Sequence, residues 1–206
     1  MAARKRKTTT KKYQVQYFHW IVAAAAIFIG GFFLLNSHIY KEKQGEIARD
    51  HKNAQYVIGG QVIKLTDGVS DIEAAPGSAS HIVTRYFGND FPIDLNGDGR
   101  EDVVFMLTQQ AGGSGTFYYV VAALNTEAGG YIGSESFLLG DRIAPQSIEL
   151  SQNPRHRDVI VVNYADRAAG EPMTAQPSVG KSVYLKLDPT TMQFGYVMPD
   201  FEGESR

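Results

Sequence analysis

The chain has 206 residues, 43% of them hydrophobic and 20% charged, and a net charge of −2, enough for one globular core with accessories but not for two large domains. Cysteine is absent, which excludes a disulfide framework, a thiolate zinc site, a cysteine nucleophile and a lipid-modified N-terminal cysteine. Arg4, Lys5, Arg6, Lys7, Lys11 and Lys12 hold six of the 20 basic residues, so beyond residue 40 the balance is 14 basic against 22 acidic, and this −8 remainder repels nucleic acid and anionic lipid.

In chain order, residues 1–16 form a basic tail and 17–36 a transmembrane helix. The run "FHWIVAAAAIFIGGFFLL", Phe18 to Leu35, holds 18 residues without a formal charge. As a helix it spans roughly 27 Å, about one hydrocarbon thickness. Tyr13, Tyr17 and Trp20 before it and Tyr40 after it suit the interfaces, and the basic tail obeys the positive-inside rule. The reading is a single-pass protein of the cell membrane, N-terminus cytoplasmic, C-terminal domain extracytoplasmic. A cleaved signal peptide competes, but it needs a small-residue site just past the apolar run, and "LLNSH" stands there. Ala26 and Gly30 make a small-xxx-small pair, the basis for a weak helix-mediated dimer as a minority alternative. Residues 37–54 mix charges with isolated apolar positions and read as a solvated juxtamembrane stalk.

From Gln55 the pattern becomes short β-rich runs separated by Gly, Asp, Asn and Pro, which predicts an all-β external domain over 55–200 and a C-terminal tail at 201–206. "YVIGGQVIKL" predicts a hairpin turning at Gly59-Gly60, where paired glycines supply positive φ. "HIVTRYF", "VVFMLTQ", "TFYYVVAAL", "YIGSESFLL", "SIEL", "DVIVVNY", "SVYLKL" and "MQFGYV" follow. About ten strands are too many for one flat sheet, so the expected architecture is a sandwich or a curled, partly closed antiparallel sheet. "TFYYVVAAL" is apolar on both alternating faces and predicts a central strand, with Phe117 and Tyr119 on one side and Tyr118 and Val120 on the other.

The most pointed motif is "DLNGDGRED". Asp94, Asn96, Asp98 and Asp102 fall at relative positions 1, 3, 5 and 9 with Gly99 at position 6, and the Arg100 carbonyl sits at position 7. That is the first part of a calcium-loop pattern, which predicts a structural, non-catalytic Ca2+ site at Asp94, Asn96, Asp98, Arg100 and Asp102. Position 12 is Phe105 and not the bidentate Glu of an EF-hand, and "VVFML" reads as strand, so the loop lies between strands. The bland alternative is a turn, because Asn-Gly and Asp-Gly form turns unaided.

Other motifs carry less. "QQAGGSGTF" lacks the glycine two residues after Ser114 that a nucleophile elbow needs and the Gly-Lys-Ser/Thr of a phosphate loop, so it reads as a hairpin connection. The histidines, His19, His38, His51, His81 and His156, show no metal-ligand spacing. "LLGDRIAPQ" and "NYADRAAGEPM" place Asp141, Arg142, Asp166, Arg167 and Glu171 in turns after apolar strands. If these turns share one end of the domain they form a polar cleft; the plain reading is turn-stabilising aspartates and surface pairs worth under about 1 kcal/mol each.

The series "DLNGDGREDVVFMLTQQAGGSGTFYYVVAALN", "LLGDRIAPQSIEL" and "VIVVNYADRAAGEPM" resembles LppP/LprE-type small bacterial envelope lipoprotein domains over roughly residues 80 to 187. The acidic loop also resembles a single unit of an FG-GAP/VCBS repeat. The first resemblance implies an exported cell-envelope domain without defined catalytic residues, the second implies calcium and β-structure. The chain departs from the lipoprotein pattern in having no lipobox cysteine; the apolar helix takes its place. One copy of the loop cannot make a propeller. The expected function is therefore that of a non-enzymatic, membrane-anchored envelope protein, held in the bilayer through residues 17–36, whose β-domain binds an envelope protein or surface ligand. The alternatives are an envelope hydrolase or carbohydrate-active enzyme using Asp141, Asp166 or Glu171, and an accessory subunit of a membrane complex.

Overall fold

A computed structural model describes residues 46–199. The basic tail, the membrane helix at 17–36, the helix-mediated dimer, the first part of the stalk and the tail at 201–206 lie outside the described residues. Among the described residues no helix is long and apolar enough to cross a membrane.

Twelve strands follow one short 3-10 turn, His51–Asn53: β1 Gln55–Ile58, β2 Gln61–Lys64, β3 Val69–Glu73, β4 His81–Ile93, β5 Asp102–Gln110, β6 Phe117–Asn125, β7 Tyr131–Gly133, β8 Phe137–Asp141, β9 Ala144–Leu150, β10 Val159–Asp166, β11 Val179–Asp188 and β12 Gln193–Tyr196. The fold is all-β as expected. Pairing is antiparallel throughout these strands and makes three sheets: β1-β2, the order β12-β11-β10-β9, and the order β3-β4-β5-β6-β7 with β8 also on β6. None of them closes.

The layering follows from β5 and β6. Six successive residues of β5, Asp102 to Leu107, are buried, and so are five of β6, Val120 to Leu124. A strand with apolar side chains on both faces needs cover on both. On one face Val104, Met106, Val120 and Ala122 meet Ile160, Val162, Val183 and Leu185 of the four-stranded sheet. On the other, Val103, Phe105, Leu107, Val121 and Ala123 meet Tyr56, Ile58, Ile63 and Leu65 of the β1-β2 hairpin. The alternation expected along β6 holds, with Tyr118 packed toward the four-stranded sheet and Tyr119 toward the hairpin. The hairpin turns where expected, with Ile58 opposite Gln61 and positive φ at Gly59 and Gly60.

Two expectations change in detail. The run "YIGSESFLL" is broken, because Ser134 to Ser136 leave the β6 ladder to fasten other layers. Ser134 Oγ accepts from Ala122 N at 2.8 Å, Ser134 O accepts from Val57 N at 3.2 Å, Ser136 N donates to Val57 O at 2.8 Å and Glu135 N to Met192 O at 2.8 Å. Here the six-stranded sheet, the hairpin and the start of β12 are stitched together. Gly133 makes this approach feasible, since a Cβ there would lie 2.1 Å from the Gln55 carbonyl oxygen. β3 was missed because only one of its five residues, Ser70, is buried, so it has no alternating apolar signal.

The last residues of the expected stalk belong to the domain. Ala48 exchanges backbone hydrogen bonds with Tyr131 at 2.9 and 2.6 Å, and Ala54 is fully buried. The His51 ring packs against Phe105 and Tyr131, while its carbonyl accepts from Tyr56 Oη at 2.7 Å. A chain of residues 46–199 is therefore expected to melt as one cooperative β unit, whereas one starting at Gln55 loses about 2–4 kcal/mol. Thermal unfolding followed by circular dichroism checks this; equal melting temperatures would show that residues 46–54 are only a tether.

Candidate functional site

The acidic loop joins β4 to β5, and its geometry is set by aspartates that bind the backbone of their own turn. Asp94 Oδ1 accepts from Gly97 N at 2.7 Å and Oδ2 from Gly99 N at 2.9 Å. Asn96 Oδ1 accepts from Asp98 N at 3.0 Å, and Asp98 Oδ1 from Arg100 N at 2.8 Å. Asp98 Oδ2 faces the Asn96 amide at 2.8 Å and the Arg100 guanidinium. Asp102 is fully buried and bridges outward, accepting from Leu95 N at 2.9 Å and Asn125 N at 2.8 Å. Arg100 Nε also donates to Asn125 O at 3.1 Å. The loop is thereby tied to the end of β6.

Of the five residues expected to hold calcium, Asp94, Asn96, Asp98 and Asp102 each have their side-chain oxygens engaged by N–H donors. Among the described residues no group of three or more His, Asp or Glu is placed to hold a metal ion. The hydrogen bond from Gly99 N, with those from Gly97, Asn96 and Asp98, outweighs desolvation and holds the Asp94 carboxyl below its ordinary range. Burial does the reverse at Asp102, raising it despite its two backbone donors, with the charges of Asp98 and Asp94 adding to the rise.

The turns at Asp141 and Asp166 do meet, which sequence alone could not establish. Arg167 Nη1 donates to Arg142 O at 2.9 Å, and Arg142 N donates to Thr116 O at 2.7 Å, so the β5-β6, β8-β9 and β10-β11 connections converge. Arg142 is held at φ 50°, in the left-handed region. The carboxylates here are turn acceptors. Asp141 receives Thr116 N at 2.8 Å and the Arg142 guanidinium at 3.0 Å, and Asp166 receives Lys181 Nζ at 2.7 Å. Burial pushes Asp141 up, but Arg142, Thr116 N and the Arg167 charge outweigh it and hold its carboxyl low. The Lys181 hydrogen bond holds Asp166 low. Glu171 Oε2 is turned back to Ala168 N at 2.8 Å.

A serine–histidine contact was not anticipated. Ser151 Oγ lies 2.7 Å from His156 Nδ1. His156 Nε2 faces the Asn153 amide nitrogen at 3.5 Å, and Asn153 Oδ1 accepts from Arg155 N, which fixes that amide. Ser151 Oγ also accepts from Asn153 N at 3.3 Å. The pair locks the β9-β10 turn.

The remaining feature is a groove of about 390 Å³ between β4 and β9, which sequence reasoning also missed. Its apolar lining is Phe87, Phe91, Met106, Pro145 and Ile148, with Gln146 at the rim. The signal available in sequence was faint: "FGND" interrupts the β4 run, and Gly88, at φ 85°, lies where the β4-β5 register shifts between Phe87 and Phe91. No protein-family model, curated protein or solved structure matches the chain. The resemblance to envelope lipoprotein domains therefore rests on the quoted motifs.

Because Asp94 is stabilised as a carboxylate by the fold, its contribution is present above the unfolded carboxylate value near 4 and lost as pH falls through its lower folded value. Asp94→Ala is expected to lower the melting temperature at pH 7, and the gap from the parent should narrow as pH falls below about 4. Melts at several pH values check this; a gap that widens in acid contradicts it.

Proposed function

We propose that the chain is a single-pass, membrane-anchored protein of the cell envelope whose extracytoplasmic β-domain binds a partner or surface ligand without converting it. The observation that carries the binding half is the groove between β4 and β9, an opening where core side chains such as Met106 reach the surface between two sheets. Clefts that combine apolar side chains with polar groups are where proteins hold ligands, and here Asn89, Asp90, Gln146 and Ser147 line the groove beside its apolar residues. The anchor half is supported by the uncharged run Phe18 to Leu35 behind a basic tail, and the envelope assignment by the resemblance of the motif series.

The hydrolase reading finds less support, since a general acid needs a raised pKa and Asp141 and Asp166 are both held low by cationic partners. The accessory-subunit reading is separated by exchanging residues 17–36 for an unrelated membrane helix, which leaves groove binding intact if the domain is what binds. For the groove itself, a photo-crosslinking residue is placed at Gln146 or, as control, at Asn163 on the outer face of the four-stranded sheet, in the full chain in cells. A discrete adduct from position 146 and none from 163 is expected. Adducts from neither would remove the groove from the proposal.

Calcium at Asp94, Asn96, Asp98, the Arg100 carbonyl and Asp102 is proposed on the spacing of those donors, with the cation replacing the Arg100 guanidinium at Asp98. At free calcium about 100 times the dissociation constant, linkage gives roughly 2.7 kcal/mol of stabilisation. Calorimetry in millimolar calcium and in chelator should show a rise in melting temperature that Asp98→Ala removes. Equal melting temperatures in the two conditions would leave the loop a turn and nothing more.

A further inference from the structure

We infer that the occupant of the β4-β9 groove is an extended polypeptide segment that adds as a fifth strand to β9; this rests on the groove being the binding site. The observation is a pair of strand edges, β4 and β9, that line one groove of mixed polar and apolar character, its apolar side chains including Phe87, Met106 and Ile148; at the end of β9, Leu150 O accepts from Gln152 Nε2 at 3.3 Å. β9 ends the four-stranded sheet, with β10 on one side and, among the described residues, no strand on the other. Ser151 N donates to Val159 O, so in this antiparallel ladder Glu149 and Ser147 bond to β10 while Ile148 and Leu150 turn their N–H groups away from it. Across the groove, β3 accompanies β4 only as far as Arg85, with one more bond from Tyr86 N to Gly68 O, and among the described residues Phe87 to Ile93 have no strand on that side.

Main-chain donors and acceptors at this spacing are complementary to another strand, and alternate side chains of that strand would fall toward Phe87, Met106 and Ile148. Charge argues the same way. Asp90 is the sole ionisable residue lining the groove, and its carboxylate is turned to His51 Nε2 at 3.1 Å, to Tyr86 Oη at 2.9 Å and toward Lys52. Among the described residues the groove offers no uncompensated charge, so the contacting side chains are neutral. Pro145 has no N–H and Gln146 lies at the β9 bulge, so pairing is confined to Ser147–Leu150 and the recognised core is short.

Backbone pairing tolerates sequence, so the probe is the peptide Thr-Val-Thr-Val-Thr-Val-Thr at millimolar concentration, with chitohexaose as a non-peptide comparison, on the full chain in lipid nanodiscs. Amide hydrogen exchange at Ile148 and Leu150 is expected to slow at least about fivefold with the peptide and not with the sugar. Leu150→Pro removes one outward donor without touching a β9-β10 bond, and it should abolish the slowing while leaving the melting temperature within a few degrees of the parent. If Phe87 and Met106 resonances shift with either probe while those amides exchange unchanged, the groove binds without strand pairing and this inference fails alone. If neither amides nor side chains respond and position 146 gives no crosslink, the inference and the binding site fall together.

Discussion

β5 and β6 present apolar side chains on both faces, and no arrangement that leaves either face to water is stable. Fully burying a side chain such as Phe105 or Leu107 is worth about 1.5–3 kcal/mol, and the two strands carry a series of such residues in each direction. The four-stranded sheet covers one face and the β1-β2 hairpin the other. The remaining architecture serves this need. Residues 46–54 pin the hairpin layer through His51 and Ala48, and Ser134 to Ser136 bond to β6, β1 and the residue before β12.

That stitching is one-sided, and the asymmetry has a functional consequence. Where Ser134 to Ser136 bind the layers together, main-chain groups are satisfied internally. Between β4 and β9, among the described residues, no such hydrogen bonds join the sheets, and a groove opens there over the buried Met106 beside the exposed Phe87. The polar groups that sequence singled out are engaged in holding turns. Asp141 and Asp166 hold turns through cationic partners, the Ser151–His156 contact ties the β9-β10 turn, and the acidic loop spends its oxygens on its own N–H groups.

Sequence patterning made the centre of the fold legible because burial there is extreme. The apolar residues on both faces of "TFYYVVAAL" marked a central strand, and the Gly59-Gly60 pair marked a hairpin, with correct facing. Edges were less legible. β3 is mostly exposed and shows no apolar rhythm, and the break between β7 and β8 depends on tertiary hydrogen bonds from Ser134 that leave no local trace. The candidate sites divide the same way. The acidic loop announced its turn through Asn-Gly and Asp-Gly. The convergence of Arg142 with Arg167 and the groove between β4 and β9 arise from strands far apart in sequence, and no local pattern encodes which edges come to face each other.

The account's central claim is that double-sided burial of β5 and β6 holds the domain together, and native-state amide exchange reads it directly. Amides of Val104 to Leu107 and Val120 to Ala123 should exchange only through global unfolding, with the same free energy as denaturant melting and the same denaturant dependence. Exchange of these amides through a smaller opening, ahead of the strands that cover them, would show that the core lies elsewhere and contradict the account.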